Sequence, residues 1–261
     1  MADLPSGGSV PSIPLSSYDA SGWTVPGAIA CVVAATGVGQ LGALVLVQLA
    51  VVANQGLYAL GDLTALQKLP LHQQTWLFMA ATLASQCAEL ALIWWIAGRG
   101  GADRVQALGL TWVPIGLGWW VKALFGLIGI KILATLIAAR FATLNAKEEL
   151  APFIEIAQDG SIWPLFLGMV VLAALIEELV FRGVLSRTLE MSRLGVWGGA
   201  ILANVLFAAL HLQYGFGGQF VILAMGLGLS YIRRRAGSLW PGIAGHAINN
   251  AVAVVAMRSI S

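Results

Sequence analysis

Charge is what this chain has least of. Asp, Glu, Lys and Arg make up 10% of its 261 residues and hydrophobic residues 59%, which leaves too little polar surface to cover a water-soluble globule. With a mean hydropathy of +0.85, lipid must be its solvent, and an integral membrane protein is expected. Cysteine is scarce as well: Cys31 and Cys87 each lie in an apolar stretch, without C-x-x-C or other metal-ligand spacing, and read as small core residues. The 14 basic residues give a net charge of +2 and form neither a stripe nor an aromatic-basic interleaving, which excludes nucleic acid as a partner. No fixed-period repeat occurs, and no hydrophilic stretch is long enough for a second soluble domain.

The first 26 residues contain no Lys or Arg, are rich in Ser, Gly and Pro, and carry Asp3 and Asp19. They predict a disordered tail. Lacking a basic region ahead of its apolar core, this end does not read as a secretory signal and is expected to be kept. Residues 27–261 then form a single transmembrane helical domain.

Long apolar runs are what the chain has in quantity. At about 20 residues per crossing of a hydrocarbon core about 30 Å thick, seven spans can be drawn: 28–53, 76–97, 113–139, 163–185, 196–212, 216–232 and 239–257. The predicted fold class is all-α, a polytopic transmembrane helical bundle of about seven spans. Six to eight are admitted, because polar helices around a site depress hydropathy. The fifth and sixth are the shortest, are joined by a glycine turn at 213–218, and need not cross fully. Gly37, Gly39 and Gly42 in the first span and Gly226 and Gly228 in the sixth predict close helix approach.

Loop charge predicts orientation. With the N-terminus cytoplasmic, Arg99, Arg104, Arg187, Arg193, Arg233, Arg234 and Arg235 fall inside, against Lys68, Arg140, Lys147 and Arg258 outside, so the bias favours N-in, C-out. The acidic segment 147–159 then lies on the far side. Short loops and compact length point to a bacterial inner membrane.

Several polar residues are explained by position. Lys122, beside Trp119 and Trp120, is placed to snorkel to the headgroups. Glu89 and Lys131 lie deeper, and a cross-helix pair between them would hide both charges. His72 follows Pro70 in a short polar loop, where an imidazole needs no special role.

The C-terminal third is different, because Glu177, Glu178, Arg182, His211, His246 and Asn250 stand in runs otherwise apolar enough for a bilayer. An ionisable group near the bilayer centre costs about 2.5–3.5 kcal/mol on insertion scales, so a cluster calls for pairing or function. Four residues apart, Glu178 and Arg182 are set to neutralise each other. Glu177 points about 100° away, without a partner on its own helix. In low dielectric it is the candidate general base. Phe207 and His211 share a helix face, as do His246 and Asn250, so each pair can project into one cavity. Two of the three histidines beside an unpaired glutamate and an asparagine favour function over a bland core reading.

These residues carry a resemblance. Glu177-Glu178-Leu-Val-Phe-Arg182 fits E-E-x-x-x-R, Phe207-Ala-Ala-Leu-His211 fits F-x-x-x-H, and His246-Ala-Ile-Asn-Asn250 fits H-x-x-x-N, in the order found in the CPBP (CAAX protease and bacteriocin-processing, or Abi) intramembrane proteases, which include the Ras-converting CAAX endopeptidase. The chain resembles that family from about 163 to 261, which would make this stretch the catalytic core. The resemblance implies a glutamate-dependent endopeptidase acting on a membrane-associated protein or peptide. Glu177 with His211 would activate a water, His246 and Asn250 would stabilise the oxyanion, and Glu178, Arg182 and Phe207 would support them. Asn249 is the weaker choice for the amide. No cofactor is implied.

Three other readings stay open. Glu177, His211 and His246 could ligate zinc with a water in the fourth position, although H-E-x-x-H is missing. A catalytically silent adaptor or chaperone could keep the same fold, and a transporter could use the same groups as a proton relay. The oligomeric state is left open. One geometric conflict stands: if Trp163 and Trp197 mark opposite interfaces, Glu177 and His211 would sit about 12 Å apart along the membrane normal.

Overall fold

The computed structural model describes residues 23–62, 64–141, 144, 146–158 and 162–259. The tail expected at 1–26 lies outside them except for 23–26. There the helical region has already begun: the Thr24 hydroxyl accepts from Gly27 N at 3.2 Å and Pro26 stands in the first turn, a start that needs no N–H at the proline.

Every regular element among the described residues is helical, and the chain is an all-α polytopic bundle. Seven apolar helices follow the seven expected spans: α1 Val25–Gln55, α2 Leu71–Ala97, α3 Leu117–Phe141, α4 Ile162–Glu190, α5 Gly195–Ala209, α6 Phe216–Ala236 and α7 Trp240–Ser259. By length and composition α1 to α4 and α6 can cross a membrane. At 15 residues α5 is shorter, and α7 is diluted by His246, Asn249 and Asn250. Large apolar side chains such as Leu41, Phe125, Leu136, Trp163 and Val255 point outward, as lipid-facing surfaces require. A short helix, Ala151–Gln158, tucks Ile154, Ile156 and Ala157 against Met79, Leu165, Val254 and Met257.

Glycine sets the closest approaches. A Cβ on Gly39 would strike the Glu89 carboxylate, one on Gly226 would strike Asn204 and Arg182, and one on Gly228 would lie 3.0 Å from Leu127 and Ile130. Gly37, by contrast, faces open space. Cys31 is buried as expected, whereas Cys87 is exposed on the helix surface.

One end of the bundle gathers the arginines. Trp23 Nε1 donates to Ala107 O at 3.3 Å and Arg187 Nη1 to Gln106 O at 2.7 Å; Leu239 N donates to Gly109 O and Trp240 Nε1 to Leu110 O, both at 2.9 Å. Glu190 joins Arg233 and also Arg234, the latter at 2.9 Å. The start of α1, the 99–110 segment, the α4–α5 turn and the α6–α7 turn therefore meet.

The depth conflict disappears because α4 runs on to Glu190 instead of ending near 185. Measured from the shared α4–α5 turn, Glu177 lies 13 residues back and His211 lies 16 residues after Gly195, about 20 and 24 Å at 1.5 Å per residue. In an antiparallel pair those positions are nearly level.

Candidate active site

The helix that carries the acidic pair is not a regular α-helix. Two π-helical stretches, Phe166–Leu172 and Glu178–Ser186, flank a short α-helical piece, Ala173–Glu177. Wider i→i+5 turns of this kind recur at functional sites. Here the change of register falls between Glu177 and Glu178, and the two carboxylates go separate ways.

Glu178 is fully buried, and its Oε1 accepts from Arg182 Nη1 at 3.0 Å. The sequence anticipates that pair, but not the rest of the network. The same Oε1 lies 3.0 Å from His246 Nδ1 on α7. Arg182 Nη2 donates to Asn204 Oδ1 on α5 at 2.8 Å, and Asn204 Nδ2 donates to Ser230 Oγ on α6 at 2.8 Å. Four helices are thus tied by one chain of charge-assisted and amide hydrogen bonds. Gly242 makes room for it, since a Cβ there would come within 3.2 Å of Glu178 Oε2. Asn204 had a signal in the sequence, as a lone amide in an apolar helix one turn before Phe207.

Glu177 keeps 28% of its side chain exposed, and its Oε2 lies 3.6 Å from His246 Nε2. His246 therefore stands between two glutamates. With Nδ1 facing a carboxylate, which only accepts, that nitrogen carries the hydrogen, and Nε2 is left for the cavity beside Glu177. Among the described residues His246 is the histidine whose ring nitrogen comes within 4.0 Å of Glu177; the motif resemblance pairs Glu177 with His211, which lines the same cavities.

His211 lies just beyond the end of α5, so the helix face expected for Phe207 and His211 is completed by the C-terminal turn. Its Nδ1 lies 2.8 Å from Phe207 O. A carbonyl can only accept, so Nδ1 donates and Nε2 is free to take a proton. Phe207 is the hub of the site. Arg182 lies over its ring at 4.2 Å, and Phe181, His211 and His246 meet it edge-on with centroids 4.9, 4.7 and 6.3 Å away. Ring contacts of this kind fix imidazoles that hydrogen bonds alone would leave free to tilt.

Asn250 Nδ2 donates to Met169 O at 2.9 Å, in the first π-helical stretch, and its Oδ1 accepts from Asn249 Nδ2 at 3.2 Å. One amide hydrogen is left over. The pair expected between Glu89 and Lys131 does not form: Lys131 Nζ donates to Asn249 Oδ1 at 2.7 Å, while Glu89 turns onto Gly39 of α1. Charge complementarity says nothing about which helices are neighbours, and α7 supplies the partner that α2 was expected to give.

Two cavities meet at these residues. One, of about 610 Å³, reaches past Gln40, Ser85 and Glu89, and the other, of about 590 Å³, past Lys131, His246, Asn249 and Asn250. Glu177, Phe207 and His211 line both. Thr82 and Gln86 also line both, and their buried Oγ1 and Oε1 have no hydrogen-bond partner. Tyr214, in the turn above, is pushed to a higher pKa by burial, with Glu149 and Glu177 adding to it, so it faces the second cavity as a neutral phenol. Among the described residues no three of His, Cys, Asp and Glu are grouped so as to hold a metal ion. The two site histidines turn toward different partners, Phe207 O and Glu178.

Residues 159–252 match the model of a family described as type II CAAX prenyl endopeptidase Rce1-like, in keeping with the CPBP resemblance of the motifs. No curated protein and no solved structure matches the chain.

Proposed function

We propose, from the premise that residues 159–252 are an Rce1-like region in an integral membrane protein, that the chain is an intramembrane endopeptidase cleaving a membrane-associated protein or peptide by glutamate-activated water. The observation that carries the reading is the approach of Glu177 Oε2 to His246 Nε2 at 3.6 Å, from separate helices, on a cavity also lined by His211 and Asn250.

In this reading Glu177 takes a proton from a water in the cavity and directs it at the peptide carbonyl. His211 Nε2 is the second base on the same wall, as the motif resemblance implies. His246, with Nδ1 held by Glu178, offers Nε2 to the developing oxyanion or the leaving amine when it carries a proton there. The free amide hydrogen of Asn250 adds a neutral donor; an oxyanion donor of this type is worth about 2.7–4 kcal/mol. Glu178, Arg182 and Phe207 position these groups and do not touch the reacting atoms. No metal is assigned. If zinc were bound, Glu177, His211 and His246 would be its ligands, and it would supply a polarised water.

The chain is placed in a bacterial inner membrane with the arginine-rich end cytoplasmic, N-terminus in and C-terminus out, and with the domain beginning near residue 27. The test of function is a comparison of membrane proteomes from cells carrying the wild type or Glu177→Gln. Protein termini present only with the intact glutamate support the peptidase. An unchanged set of termini with an unchanged cellular effect would replace it with an adaptor of the same fold.

A further inference from the structure

Lys131 lies outside the matched region and has no part in the reaction described above. It stands in the middle of α3, 14 residues after Leu117 and 10 before Phe141, so its ammonium is about 21 and 15 Å from the two helix ends. At that depth a cation needs an anion or a strong set of acceptors. Its bond to Asn249 Oδ1, at 2.7 Å, uses one of three N–H donors and balances none of the charge. Among the described residues no carboxylate lies within 4.0 Å of it as an ion pair. Glu149 lines the same cavity, but its Oε1 accepts from Gly215 N at 2.9 Å.

The cation faces the reaction centre. Lys131, Asn249, Asn250, His246 and Glu177 all line the 590 Å³ cavity, whose remaining wall is largely apolar, with Phe78, Met79 and Met225 among its members. Asn249 is three residues beyond His246, about 4.5 Å along the α7 axis. Allowing for the side chains, an extended peptide with its carbonyl at Glu177 and His246 would bring a group two or three residues away to the ammonium, at about 3.3 Å per residue.

Resting on the peptidase reading, we propose that Lys131 is a specificity-determining residue: held by Asn249, its ammonium takes a carboxylate of the substrate and sets which peptide bond reaches Glu177. The anion is a peptide carboxylate and not a lipid phosphate, because headgroups stay at the interface, about 15 Å or more from this level. Lysine suits the role as a compact point charge that binds a single anion without demanding a planar fork.

The experiment uses the full chain in detergent with Glu177→Gln to block turnover, and measures the affinity of three fluorescent apolar octapeptides. One ends in a free acid, one in an amide, and one in an amide with Glu two residues before the end. Either carboxylate-bearing peptide should bind roughly tenfold or more tightly than the plain amide. Adding Lys131→Gln should collapse that preference, and Lys131→Arg should keep most of it. The plain amide should bind Lys131→Gln as tightly as it binds the Lys131 protein, which separates a lost preference from a folding defect. Equal binding of all three peptides, absence of binding, a preference that survives Lys131→Gln, or displacement of the acid peptide by phosphatidylglycerol but not phosphatidylcholine would overturn the assignment. Turnover of the same peptides by the wild type is read separately: a carboxylate preference without cleavage would sink the peptidase and leave Lys131 as an anion site, whereas cleavage without the preference would sink only the role of Lys131.

Discussion

Glu178 Oε1 is shared between His246 Nδ1 and Arg182 Nη1, each 3.0 Å away. One carboxylate oxygen thereby fixes the tautomer of a site imidazole and neutralises the most deeply buried guanidinium. Glu178→Gln should damage both functions together. Removing one member of a buried pair typically costs about 3–5 kcal/mol, so thermal unfolding in detergent should occur at a clearly lower temperature, and residual peptidase activity should fall further than the loss of folded protein explains.

Glu177→Gln separates chemistry from folding. The side chain is partly exposed to the cavity, and its contact with His246 Nε2, at 3.6 Å, is longer than a hydrogen bond, so the variant should unfold at nearly the wild-type temperature. Peptide cleavage should fall by at least about a hundredfold, as expected for removal of a general base. Activity within tenfold of wild type would show that the water is activated elsewhere.

Asn250→Ala should lower kcat by roughly 10²–10³, the loss seen on removing one oxyanion donor, with little change in KM. Asn249→Ala should act mainly on KM, because its Oδ1 accepts from Lys131, with a smaller fall in kcat from loss of the bond between its Nδ2 and Asn250 Oδ1. Steady-state kinetics on one fluorogenic peptide distinguishes the two.

Gly226→Ala probes the network from a position with no side chain. Its Cβ would collide with Asn204 and come within 2.6 Å of Arg182 Nη2, and neither partner is the free end of a flexible chain. The variant should be destabilised about as much as Asn204→Leu, and combining the two should cost less than the sum, since both break the same link. Unfolding measured for the single and double variants tests this.

A chelator distinguishes the two hydrolytic chemistries. Incubation of the purified protein with 1,10-phenanthroline should leave peptide cleavage at its starting rate, and loss that zinc restores would move Glu177, His211 and His246 to the role of ligands.

The seven helices were legible because apolar length is a local property, and the Glu178–Arg182 pair because four residues make one helical neighbour. What joins separate helices was not. The supposed Glu89–Lys131 pair fails, and the links from His246 to Glu178 and from Lys131 to Asn249 could not be written from spacing, since no sequence interval encodes which helices touch. The π-helical register of α4 was hidden too, because its residues are ordinary helix formers. His211 was legible as a site residue but not as a histidine bound to the carbonyl of its own helix end, a detail that depends on α5 stopping at Ala209.

The brevity of α5 has a consequence for the bilayer. Its 15 residues reach only about 22 Å, against a hydrocarbon thickness of about 30 Å, while α4 beside it is nearly twice as long. A mismatch of this size is met by local thinning of the bilayer or by flanking polar residues reaching toward the headgroups. In the peptidase reading each turnover consumes a water, and the early end of α5 at Ala209 shortens the path by which one reaches His211 from the α5–α6 turn.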